Sequence, residues 1–333
     1  MLVARMRRRR HAVLFAILAF AGSFTACGYA PLIPPAKDRR VTFEVKVEAP
    51  ASLGPGKVRL WVPVPLAGDY QECGRLEPVA FGGEVGEHYD QYGNRMLYLE
   101  GTPPLRLSYA LQVRRFAATA PRKSLESGSL NANSPWLAST PAAPLEAIRT
   151  KALFKTSRTS DYLTKARILF DMAVDEIGGA LRGSGADGRL ADILARGVAD
   201  SFDRSVVLAS ALRSVGIPAY VEHGYLLAAP SQVPIDFERA AAWLRFEIPG
   251  MGFLPADPGR SLDEPLRRRH LFGGLDEDRI RIGRGRDLRL LPPQDGPLLP
   301  RFVAPYAERD GKPLVDGLVT TMRSFDPAPT NGR

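Results

Sequence analysis

Thiols and imidazoles are scarce in this chain of 333 residues: the cysteines are Cys27 and Cys73, and the histidines are His11, His88, His223 and His270. Two cysteines exclude a disulfide scaffold, a zinc ribbon and any multi-cysteine cluster. An acid–base mechanism built on imidazole has only those four rings to draw on. No feature calls for a cofactor or a metal. One short stretch does combine reactive residue types with a place to use them. Asp200-Ser201-Phe202-Asp203 stands directly before Val206, Val207, Leu208, Ala211, Leu212 and Val215, an apolar helix stopped by Gly216-Ile217-Pro218. A group at the first turn of such a helix feels the positive end of its dipole. Capping the helix is, equally, a sufficient structural reason for Asp200 and Ser201.

The N-terminus reads as a targeting segment. Met6-Arg7-Arg8-Arg9-Arg10 is a positive n-region, and Ala12 to Ala21 is an apolar run too short to span a membrane alone. Phe24-Thr25-Ala26-Cys27 resembles a bacterial lipobox, with Phe24 where leucine is usual, so Cys27 is the expected lipidation site and residues 1–26 a lipoprotein signal peptide. An ordinary cleaved signal or an uncleaved anchor are the alternatives. The expected location is therefore the bacterial cell envelope, lipid-anchored and periplasm-facing. Removing residues 1–26 takes away five arginines (Arg5 and Arg7 to Arg10) and no acid, which lowers the net charge from +9 to +4. The remaining arginines are interleaved with acids, as in Asp276-Glu277-Asp278-Arg279, so a one-signed nucleic-acid stripe is absent.

Hydrophobic periodicity then divides the chain. Residues 27–40 carry Pro31, Pro34 and Pro35 and read as a tether. From 41 to 116 the period is two. Val41, Phe43, Val45 and Val47 share one face, the prolines of Val58 to Pro65 imply an edge or a strand end, and Leu105 to Val113 alternates over its whole length. Short strands separated by turn residues predict a β-sandwich. Residues 117–158, rich in Ala, Ser, Pro and Asn, read as a connector. A helix capped by Thr159 or Ser160 opens the next unit, 159–262, and strands are predicted at Tyr220 to Leu227, Ala242 to Ile248 and Phe253 to Asp257. A helix followed by strands in this order is an α+β core, and residues 263–333 form a C-terminal extension expected to pack on it.

The ordered set of short motifs in 199–258 resembles the bacterial transglutaminase-like superfamily, whose fold is related to that of papain. The family core runs Gly-x-Cys-x-Asp, an apolar helix ending in Gly-Ile-Pro-Ala, a strand opening His-x-Trp, then Pro-Gly-x-Gly-Trp and Asp-Pro. This chain has Ala199-Asp200-Ser201-Phe202-Asp203, Gly216-Ile217-Pro218-Ala219, Ala241-Ala242-Trp243, Pro249-Gly250-Met251-Gly252-Phe253 and Asp257-Pro258. Leu60-Trp61-Val62-Pro63 and Tyr92-Gly93-Asn94 resemble the β-domain that often precedes this core, and the likeness covers most of residues 41–315.

The resemblance implies nucleophilic acyl transfer by a Cys-His-Asp unit, in which an activated thiolate attacks an amide carbonyl and the aspartate fixes the histidine tautomer. The corresponding positions here hold Ser201, Ala241 and Asp257, so only the third is kept. A serine hydroxyl needs a general base, and an alanine cannot be one. The expectation is a pseudoenzyme that binds a peptide, protein or cell-envelope ligand without turning it over. The alternative is an amide or peptide hydrolase, or an acyltransferase, using Ser201 with His223 as a displaced base. Asp203 and Trp243 are candidates to line the cleft, and Cys73, in the β-domain, reads as a tolerated thiol.

Overall fold

A computed structural model describes residues 38–119, 129–179, 187–237 and 240–327. The expected signal segment, the expected tether before Asp38 and Cys27 lie outside these residues. Seven strands come first: β1 (Asp38–Ala49), β2 (Val58–Pro63), β3 (Gln71–Cys73), β4 (Val79–Phe81), β5 (Val85–Tyr89), β6 (Arg95–Gly101) and β7 (Leu105–Phe116). The two long ones, β1 and β7, pair antiparallel from Asp38↔Phe116 to Ala49↔Leu105. Their alternation puts Val41, Phe43, Val45 and Val47 opposite Leu107, Tyr109, Leu111 and Val113 in one dry core. The second sheet packs Val58, Leu60, Val62, Leu97 and Leu99 onto the same core.

Helices α1 (Glu146–Thr156) and α2 (Tyr162–Asp175) follow, then β8 (Gly178–Gly179), α3 (Leu190–Arg196), β9 (Val198–Ala199), α4 (Ser201–Ser214), β10 (Ala219–Leu226), β11 (Ile235–Asp236), β12 (Ala240–Ile248), β13 (Gly252–Ala256) and α5 (Pro258–Asp263). The stretch expected to be an irregular connector thus carries a helix. Only Ile148, Ala152 and Thr156 of α1 are buried, too narrow a stripe to register as periodicity. Asp161 caps α2, its carboxylate accepting from the Thr164 amide at 2.8 Å, one residue beyond the expected cap. Helix α4 is buried from Phe202 to Leu212 and packs on β10 and β12.

The C-terminal segment does more than lie on the α+β core. Strand β14 (Arg279–Arg284) extends the core sheet to the order β13-β12-β10-β14. The chain then crosses to the sandwich, where β15 (Tyr306–Arg309) and β16 (Lys312–Pro313) give the order β16-β15-β2-β6-β5 and β17 (Val319–Phe325) gives β11-β17-β1-β7-β3. Strand β2 is therefore interior, and its proline closes it at Pro63. The cores are continuous: after a register shift between His223 and Gly224, Tyr225, Leu227, Ile280 and Ile282 enter the sandwich core. Gly224 is required there, because a Cβ would sit 1.8 Å from the carbonyl oxygen of Ile280.

Candidate functional site

Ser201 is the first residue of α4. The cap is Asp200 alone, whose carboxylate accepts from the Asp203 amide at 2.9 Å, and the Ser201 side chain takes no part in capping. The N-terminus of α5 abuts this turn. A Cβ on Gly259 would lie 2.7 Å from Ser201 Cβ, 2.9 Å from its Cα and 3.7 Å from Asp257 Oδ1, so only glycine lets the two helix ends approach this closely. Asp257 caps α5 through Oδ1, which accepts from the Arg260 amide at 2.9 Å. Ser201 and Asp257 are thus brought together around Gly259.

The acid is already engaged elsewhere. Arg279, fully buried on β14, donates through Nη1 to Asp257 Oδ2 at 3.0 Å and lays its guanidinium over the Trp243 ring at 4.7 Å. A carboxylate that would orient an imidazole is here the counter-ion of a guanidinium, a group that stays protonated and can neither accept nor relay a proton. Ala241 stands opposite Gly224 on the neighbouring strand and packs with Trp243, Ala118, Leu271 and Leu275, contributing a methyl and no chemistry.

His223 is also accounted for. Its ring lies on the α4 side of the sheet, edge-on to Phe202 with centroids 6.5 Å apart. Nε2 pairs with the carbonyl oxygen of Gly285 at 3.1 Å, and Nδ1 is buried without a hydrogen-bond partner. A carbonyl can only accept, so Nε2 carries the proton and Nδ1 the free lone pair. Burial pushes the imidazole down to about 4, which keeps it neutral at pH 7. Neither nitrogen engages Ser201. Asp203 is buried, accepts from the Gly188 amide at 2.7 Å, and is pushed up to about 6 by burial and then by Asp200. Trp243 is fully buried, its indole N–H donating to Glu222 Oε2 at 2.6 Å, so it lines no open cleft. Cys73 is half-buried on β3, and burial pushes its thiol up to about 11, out of the thiolate range. A surface pocket of about 520 Å³ lies on the sandwich among Lys57, Arg59, Tyr98, Glu100 and Asp295, apart from all of these residues. Among the described residues no group of three or more His, Cys, Asp or Glu could hold a metal ion.

Sequence reasoning missed the arginines. Arg204, next to Asp203, is buried and donates to the carbonyls of Ala173, Val174, Ile177 and Gly178, which ties the start of α4 to the end of α2. On the other face of the sheet, Glu222 is fully buried and accepts from Arg281, Trp243 and, at 3.5 Å, Arg245. Burial works to raise this carboxyl, but Arg281, Arg245 and Arg115 outweigh it and hold the group well below the usual carboxylate range. The local signal for these residues was misleading. Arg279 and Arg281 alternate with Ile280 and Ile282, a pattern shared by strands with a solvent face, whereas here a second layer covers it.

Residues 150–258 match the transglutaminase-like superfamily. The chain is 24% identical over 323 residues to an uncharacterized protein of Haemophilus influenzae, the match covering 82% of this chain and 84% of that one. Among solved structures, a candidate cysteine protease of Cytophaga hutchinsonii shares the fold with a TM-score of 0.57 at 15% identity, covering 89% of this chain and 93% of the other. The periplasmic domain of TgpA from Pseudomonas aeruginosa aligns at 16% identity over 68% of this chain and 90% of that one, with a TM-score of 0.35. Among the described residues no helix is long and apolar enough to cross a membrane.

Proposed function

The chain carries a transglutaminase-like domain over residues 150–258, and from that premise we propose that it is a pseudoenzyme, retaining the fold of an acyl-transfer domain without its chemistry. The observation that carries this reading is the pairing of Asp257 with Arg279, beside an alanine at the histidine position. Removing one member of a catalytic unit leaves only the residual acceleration of binding and oxyanion donors. Here the base is gone and its orienting acid is occupied. The scaffold then serves to bind a peptide, protein or cell-envelope ligand. The arginine-rich leader and the lipobox-like Phe24-Thr25-Ala26-Cys27 support export and anchoring through a lipid on Cys27. The hydrolase alternative lacks the contact it needs, because neither nitrogen of His223 hydrogen-bonds to Ser201: Nε2 is on Gly285 and Nδ1 has no partner.

The test is covalent labelling of the full chain with a serine-directed fluorophosphonate, read by intact mass and peptide mapping, with Ser201→Ala treated in parallel. The wild-type chain is expected to take up no more label than Ser201→Ala does. Stoichiometric labelling at Ser201, lost in Ser201→Ala, would overturn the pseudoenzyme reading. For the anchor, a palmitate analogue supplied to expressing cells is expected to label the wild-type chain and not Cys27→Ala.

A further inference from the structure

The junction between the sandwich and the core sheet holds more buried positive charge than its carboxylates balance. Arg115, Arg245, Arg279 and Arg281 are each at most 4% exposed, and the carboxylates buried to the same degree beside them are Glu222 and Asp257. Four guanidiniums stand against these two carboxylates, and the less buried Asp276, which also pairs with Arg279, is shared with Arg260 and Arg267.

The surplus falls on two residues. Arg279 is held by Asp257 and Asp276, and Arg281 by Glu222 and the carbonyls of Leu66 and Ala67. Arg245 is only loosely held, with Nε 3.5 Å from Glu222, Nη1 3.4 Å from the Phe253 carbonyl, and Nη2 buried without a hydrogen-bond partner. Arg115 projects from the end of β7, and its Nε, Nη1 and Nη2 are all buried without a partner in the protein. Burial pushes it down to about 9, with Glu222 opposing and Arg279, Arg281 and Arg245 reinforcing, so it is still charged at neutral pH. An uncompensated buried guanidinium is strongly destabilising, and a methionine of similar reach would avoid the cost.

We propose that Arg115 and Arg245 form a binding site for a small oxyanion, a carboxylate or a phosphate, at the junction of the two β-structures. The planar fork of a guanidinium matches both chemistries through two parallel hydrogen bonds, where a monatomic ion offers no such fit. Two guanidiniums with free N–H groups, in a field that is net positive, supply both the geometry and the charge. The Tyr70 ring stacks on Arg245 at 4.5 Å, and Asp69, whose side chain is 80% exposed, lies 3.7 Å from Arg245 Nη1. The site stands whether or not Ser201 is reactive.

The test measures the melting temperature of the full chain against acetate, phosphate and chloride at constant ionic strength. Above the dissociation constant, acetate or phosphate is expected to raise it by roughly 2–4 °C per tenfold in concentration, and chloride not at all. The ion acting at lower concentration identifies the carboxylate or the phosphate as the preferred ligand. Arg115→Met is expected to abolish the response, and Arg245→Met to weaken it. Equal shifts in all three salts, or an unchanged response in Arg115→Met, would mean an adventitious ion only and would overturn the proposal. Should Arg115→Met fail to fold, titration calorimetry of the wild-type chain decides: one saturable oxyanion site supports it, and no saturable heat overturns it.

Discussion

The two faces of the β13-β12-β10-β14 sheet are built from the same strands and have opposite characters. Toward α4, Ala219, Val221, Ala242, Leu244 and Phe246 make an apolar surface, and the titratable His223 is held neutral within it. Toward the sandwich, Glu222, Trp243, Arg245, Arg279 and Arg281 form a buried ionic layer. The lesson is where the charge has gone. Ser201 opens a helix on the quiet face, and the acid beside it is drawn into the ionic layer by Arg279.

Substitutions can break this contrast. The largest effect is expected on the ionic face. Glu222→Gln leaves Arg281, Arg245 and Arg115 without their shared counter-charge, and should cost about 3–5 kcal/mol in urea unfolding at pH 7. A loss under about 1 kcal/mol would mean that the layer does not depend on this carboxylate.

On the quiet face the contrast shows in pH dependence, where two groups oppose each other. His223 titrates lower in the folded chain than its ordinary 6.5, so between about 6.5 and 4 the unfolded chain binds the extra proton, and stability rises with pH across that window. Asp203 titrates higher when folded, about 6 against 3.8, so between about 4 and 6 the folded chain holds the extra proton and stability falls as pH rises. The two slopes offset in the wild-type chain. His223→Gln should expose the falling slope and Asp203→Asn the rising one, read from unfolding midpoints between pH 4 and 6.5. Parallel pH profiles for His223→Gln and Asp203→Asn would contradict these assignments.

The smallest effect is expected at Ser201. Because Asp200 is the cap, Ser201→Ala should change stability by less than about 0.5 kcal/mol. A larger loss would show the hydroxyl to be structural and would sharpen the division between the faces.

Much of this organisation was legible in the residues. Alternation in Val41 to Val47 and Leu105 to Val113 marked the sandwich strands because one face of each is buried and the other is not. The apolar run after Ser201 marked α4, and the motif resemblance picked out Ser201 and Asp257, which the fold brings together around Gly259. What stayed hidden was non-local. No pattern within Arg279–Arg284 says that Arg279 will meet Asp257, and no pattern near Thr320 says that it will pair with Val47. Glu222 and Arg245 did not stand out, because alternation reports a strand's two sides, not which of them a later segment will cover.

That later segment has a bearing on how the chain is made. Strand β1 runs beside β17 from Thr42↔Phe325 to Glu48↔Val319, and β2 runs beside β15 from Val58↔Arg309 to Trp61↔Tyr306. Both of these early strands therefore wait, with an open edge, until β15 and β17 have been synthesised more than two hundred residues later. Such high contact order slows folding and prolongs the exposure of unpaired edges. The first half of the chain is thus committed late, and truncation near residue 300 would strip both sheets at once.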